Sequence, residues 1–148
     1  MGLEYLRSFH GILTAIIVLC SSFSLFVGHF VWHNGDVFFL FVLGAWPLVT
    51  MVLVFILAVW ITSMVMLMAQ TLGKDLMEQL GKLKALSLIL IIHAVCAILI
   101  CAAAVAESFY VSRAAPDYFY FPRFIMVMIA CWIMLVATLG QIIFIAFQ

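Results

Sequence analysis

The segment LILIIHAVCAILICAAAVAESF, Leu88 to Phe109, carries one histidine inside an apolar run and one glutamate at its end. A neutral imidazole taken out of water needs a hydrogen-bond partner. A carboxylate at the edge of a membrane segment is a candidate for function, with Arg113 and Arg123 close enough in the chain to pair with Glu107 instead. His10 falls at about the depth of His93 when both runs are read as helices. Two histidines on different helices are the minimum for bis-histidyl haem, so His10 and His93 form the one axial pair the chain permits. His29 and His33 stand four apart, one face of a helix, and Asp36 follows. Imidazole and carboxylate bind zinc, but a structural site wants four ligands and no closed set is present. A relay of protons or cations needs further acids along the helices, and there are none. No serine, histidine and acid share a depth. The expectation is a protein without enzymatic activity, cofactor or metal, in which His93, Glu107 and Gln141 serve as polar interior or interface residues. The alternative is a haem-binding or redox-related membrane subunit.

The four cysteines, Cys20, Cys96, Cys101 and Cys131, all lie in apolar segments. None sits in an exterior connection, where a disulfide would staple a loop. Cys96 and Cys101 are five apart and do not have the spacing of a CxxC redox pair. They read as small packing residues.

The elements that must hold these side chains follow from composition. The 148 residues are 70% hydrophobic and 8% charged, against roughly 45–50% and about 25% in soluble domains. Mean hydropathy is +1.40. Formal net charge is zero, which leaves no basic footprint for nucleic acid. Four stretches reach the ~20 residues needed to cross a hydrocarbon core: about 11–32, 37–62 with a possible continuation to 69, 85–106 and 124–147. They are continuously apolar rather than alternating, so they predict helices, not barrel strands. The first is too long for a signal peptide and lacks a small-residue cleavage site. The chain therefore reads as one all-α, four-helix transmembrane domain, with Asn34-Gly35 as the turn of a tight hairpin between the first two spans.

Basic residues set the orientation. Arg7, Lys74, Lys82 and Lys84 fall at the amino terminus and second connection, and Arg113 and Arg123 flank the third. The positive side faces the cytoplasm, which puts both termini there in a multi-pass protein of the plasma membrane or endomembrane vesicles. In GKDLMEQLGKLK, leucines at helical spacing and the Lys74, Glu78, Lys82 ladder predict an interfacial helix or an extension of the third span.

Small residues mark close helix contacts. Ala94, Ala97 and Cys101 share a face of the third span with Val105, and Ala102 and Ala106 form a small-xxx-small pair. Pro47 is expected to bend the second span, and Gln141 to bond across helices. YLRSFHGILTAIIVLCSSFSLF, with Leu6-Arg7 ahead of Gly11, resembles the first helix of the MARVEL-domain proteins, tetraspanning proteins of myelin, vesicles and junctions. IIHAVCAILICAAAVAESFYVSR resembles their third helix. The resemblance implies an M-shaped four-helix course and no catalytic residue. The chain lacks the paired loop cysteines of occludin-like and synaptophysin-like members, which argues against adhesion through an ectodomain. The implied role is membrane organisation, trafficking or an accessory subunit, with membrane lipids and another integral membrane protein, or a second copy, as partners.

Overall fold

The computed structural model describes residues 2–39, 47–72, 81–117 and 119–147. A 3-10 helix, Gly2–Arg7, leads into α1, Phe9–His29. Ser8 makes that transition: its hydroxyl donates to the Tyr5 carbonyl at 2.7 Å and accepts the Gly11 N–H at 3.0 Å, meeting one of the orphan donors of the first turn. Two strands follow, β1 (Phe30–His33) and β2 (Asp36–Phe39), then α2 (Pro47–Thr71), α3 (Lys82–Arg113) and α4 (Phe121–Ala146). The protein is mostly helical, and four helices are long and apolar enough to cross a membrane: Phe9–His29, Leu48–Thr71, Lys84–Arg113 and Phe121–Ala146.

The course is up-down-up-down. α4 packs on α3 and α1, and α2 packs on α1 and α3. Each helix thus has two antiparallel neighbours, and α1 faces α3 across the bundle. The core runs along the axis through Ile17, Val52, Ile56, Val59, Ile100, Ala103, Ala104, Cys131 and Met134. At the end where α1 finishes, Val31, Val49, Tyr110, Ala114 and Phe124 form a second cluster. The Tyr110 hydroxyl accepts the Leu48 N–H at 2.7 Å, so α3 supplies a partner to the open first turn of α2. Most large apolar side chains on the outside, including Leu19, Ile91, Ile98 and Val136, are exposed, the arrangement expected of a bundle whose solvent is hydrocarbon.

Four expectations are corrected. The Asn34-Gly35 turn is present, but it joins strands rather than helices: Phe30 pairs with Phe39 and His33 with Asp36. Both turn residues have positive φ, 51° and 91°, the geometry of the tight turns that match strand twist. Phe30, Val31, Trp32, Val37, Phe38 and Phe39 are aromatic or β-branched and suit a pleated ribbon; an apolar run alone does not separate strand from helix. Residues 30–32, expected in the first span, and 37–39, expected in the second, are therefore outside the helices: α1 ends at His29 and α2 starts at Pro47 and runs to Thr71. Pro47 opens that helix rather than bending it, where its missing N–H costs nothing. Finally, α3 continues seven residues past 106 to Arg113, which places Glu107 inside the helix. The residues 73–80 of the expected interfacial helix, with Lys74 and Glu78, lie outside the described residues.

Candidate functional site

At the end of the bundle where α1 begins and α4 finishes, polar side chains from three elements meet. Thr14, on α1, donates its hydroxyl proton to the His10 carbonyl at 2.9 Å. Its oxygen accepts from the Gln141 amide at 2.7 Å. The Tyr5 hydroxyl lies 3.2 Å from Thr14 Oγ1 and 2.6 Å from His10 Nδ1. Burial holds the Tyr5 phenol above its ordinary pKa, against the opposing effect of its bond to Thr14, so it carries its proton. One assignment gives every contact one proton. His10 Nδ1–H donates to Tyr5, Tyr5 donates to Thr14, Thr14 donates to the His10 carbonyl, and Gln141 donates to Thr14. The network ties the 3-10 helix and α4 to the start of α1. Thr14 and Gln141 are almost fully buried.

His93, on α3, faces this network from across the axis. Its ring meets that of His10 edge-on, with centroids 5.4 Å apart and planes at 62°. Its Nδ1 lies 2.7 Å from the Ile89 carbonyl. A carbonyl only accepts, so Nδ1 carries the proton and the neutral ring leaves Nε2 as an acceptor. The structure thus brings together the two histidines singled out by depth. The two rings meet edge-to-face at the axis of the bundle.

A cavity of about 20 Å³ lies beside His93, lined by Thr14, Ile17, Val59, Thr62, Ser63, Met66, Ile92, Cys96, Thr138 and Gln141. All four helices contribute. Of these residues only Gln141 and His93 were singled out as polar interior groups from sequence. Single hydroxyls inside apolar runs were the available signal for Thr14, Thr62, Ser63 and Thr138.

At the other end, the His29, His33, Asp36 set does not assemble. His29 is the last residue of α1, is buried, and contacts the Ser24 carbonyl at 3.0 Å through Nδ1. His33 is exposed on β1 and stacks on Phe119, with centroids 4.1 Å apart and planes at 18°. The helix ends between them, so four-residue spacing no longer means one face. Among the described residues, no three His, Cys, Asp or Glu side chains are grouped to hold a metal ion.

Glu107 is 3% exposed, and its Oε2 has no hydrogen-bond partner. The expected pairing with Arg113 or Arg123 is not formed among the described residues. Arg113 lies over the Phe109 ring at 5.0 Å, and Arg123 has its own buried, unpartnered Nη1. Because α3 extends to Arg113, Glu107 sits about 9 Å along the helix from its end.

The small-residue set on α3 divides. Ala94 and Cys101 are exposed, Ala97 and Ala102 are half-buried, and Ala106 is in the core beside Ala103 and Ala104. Between α2 and α3 an open apolar groove of about 670 Å³ is lined by Leu48, Met51, Ile98, Cys101, Ala102, Val105, Ala106 and Phe109. No family model, curated protein or solved structure matches the chain.

Proposed function

We propose that this chain is a non-enzymatic, multi-pass membrane protein that acts by lateral helix association, as an organising, trafficking or accessory subunit. The α2–α3 groove carries the reading. Inside a bilayer, lipid is as apolar as leucine, so helices associate through close packing rather than escape from water. A long apolar groove with Ala102 and Ala106 along one wall gives another helix the close approach that such packing needs. The occupant is a spanning helix of a second copy or of another integral membrane protein, with membrane lipid on the remaining faces. The MARVEL-like run of the first and third helices supports the same role. Orientation follows the basic residues: both termini are cytoplasmic, in the plasma membrane or endomembrane vesicles.

Cys101 provides the test, because its thiol is free and exposed at the groove. In native membranes, a short thiol-reactive bifunctional reagent is expected to trap a species larger than the monomer through Cys101. Ala102→Leu, which fills the groove wall, is expected to remove it while the monomer remains folded. Only monomer in the wild type, with no copurifying membrane protein in gentle detergent, overturns the proposal.

A further inference from the structure

We propose that the cavity beside His93 is a binding site for a single water molecule, which joins α2 to α3 and α4. The hydrogen-bonding state of the wall points to a donor. His93 presents a bare Nε2, since its Nδ1 proton goes to the Ile89 carbonyl. Thr62 gives its hydroxyl proton to the Ala58 carbonyl and Thr138 to the Met134 carbonyl, each at 2.8 Å. Thr14 spends its proton within α1 and its two lone pairs on Tyr5 and Gln141, so it takes no part. What His93, Thr62 and Thr138 have left is lone pairs. Only Ser63 among the lining hydroxyls has no side-chain bond to another described residue, and it can either give or accept.

Such a wall wants an occupant with protons to offer and one lone pair to receive Ser63. Water has two donors and two lone pairs. Space of roughly 10–15 Å³ for its centre suffices to hold it, and a buried water needs two to four polar partners; the cavity has about 20 Å³ and at least four candidates. A metal or alkali cation would also satisfy acceptors, but no carboxylate lines the cavity. An uncompensated charge in a low-dielectric interior is far costlier than a neutral guest. An empty cavity is the state of an apolar void, and this one has His93, Thr62, Ser63 and Thr138 in its wall.

The consequence falls on α2. Its described side-chain hydrogen bonds to other helices are few. Trp60 donates to Ser22 at 2.8 Å, and its N-terminal Leu48 N–H meets Tyr110. In its second half, among the described residues, Thr62 and Ser63 make no direct side-chain hydrogen bond to another helix, and both line the cavity. A bridging water there supplies the polar contact that the side chains do not make directly.

Full-length protein with ¹⁵N-labelled histidine, in lipid nanodiscs, provides the test. Magnetisation transfer is expected between His93 Nε2 and a water proton that exchanges slowly with bulk. The ring should be protonated at Nδ1. Ser63→Val, which replaces the hydroxyl with methyl groups and fills the space, is expected to abolish the transfer while the remaining spectrum is retained. Absence of any water contact at His93 in the wild type overturns the proposal without recourse to the variant. So does a His93 resonance that shifts when sodium is replaced by choline, which assigns the occupant as a cation. A transfer that persists unchanged in a folded Ser63→Val also overturns it, because the water then lies elsewhere.

Discussion

Replacing Glu107 by methionine is expected to stabilise the protein. The side chain is 3% exposed, and Oε2 finds no donor. It lies on the α3 face that carries the fully buried Ala103 and Ala104. Leaving a buried acceptor unmet costs about 1–3 kcal/mol. Methionine has similar length and an adaptable side chain, and volume-conserving changes in a core usually cost less than about 1.5 kcal/mol. The difference favours the variant by about 1 kcal/mol, with a ceiling near 3 kcal/mol, or roughly fivefold to more than a hundredfold in the folding equilibrium. Reversible unfolding in mixed micelles, titrated with denaturing detergent, reads this directly. Glu107→Gln keeps an acceptor and adds two donors with no partner in view, so it should be less stable than Glu107→Met. A loss of more than about 1 kcal/mol in Glu107→Met refutes the reasoning. It would mean that the carboxyl is satisfied in the membrane by a group that the bundle alone does not provide.

Other substitutions test the packing and the polar layer. A double-mutant cycle of Gln141→Leu with Thr14→Val should return a coupling of about 0.6 kcal/mol, the average for hydrogen bonds between membrane helices, with a ceiling near 1.7 kcal/mol; zero coupling would deny the 2.7 Å bond. Gly28→Ala drives a methyl into the Val127 side chain of α4 and should cost about 1–3 kcal/mol by overpacking, measured in the same detergent titration. Gly11→Ala meets the backbone carbonyl of Tyr5, so the 3-10 helix must move; loss of the Tyr5–His10 contact by NMR is the expected signature. Tyr110→Phe strips the Leu48 N–H of its acceptor and should speed amide exchange at Leu48 at least tenfold, reflecting about 1.4 kcal/mol or more of lost local stability.

The membrane-length helices were legible because runs of twenty apolar residues have few other stable fates. What hydropathy misses is the change of secondary structure within an apolar stretch. Phe30 to Trp32 and Val37 to Phe39 continue the apolar character of the helices around them, and only the side-chain shapes beside Asn34-Gly35 favour strands. The end of α3 was missed for a related reason. Glu107 reads as a boundary, yet Tyr110 packs against Phe124 with ring centroids 5.4 Å apart and draws the helix on to Arg113. Depth counting placed His10 opposite His93, because rise per residue is fixed. It did not reveal the cavity, whose wall includes isolated threonines and a serine from helices far apart in sequence. Nor did periodicity predict that Ala106 would turn inward while Cys101 faces out; that depends on which neighbours α3 acquires.

The alternation of helix direction around the bundle bears on how the protein experiences a membrane potential. Each helix carries a macrodipole of about half a charge at either end, and here every helix lies between two running the opposite way, so the four fields largely cancel. Glu107 is the one acidic residue in α1 to α4, and the basic residues of these helices lie near their ends. A full elementary charge crossing the bilayer exchanges about 2.3 kcal/mol per 100 mV. Even an ionised Glu107 displaced through a tenth of the field would exchange only about 0.2 kcal/mol, well under thermal energy. A bundle built this way gives a membrane potential little charge to move.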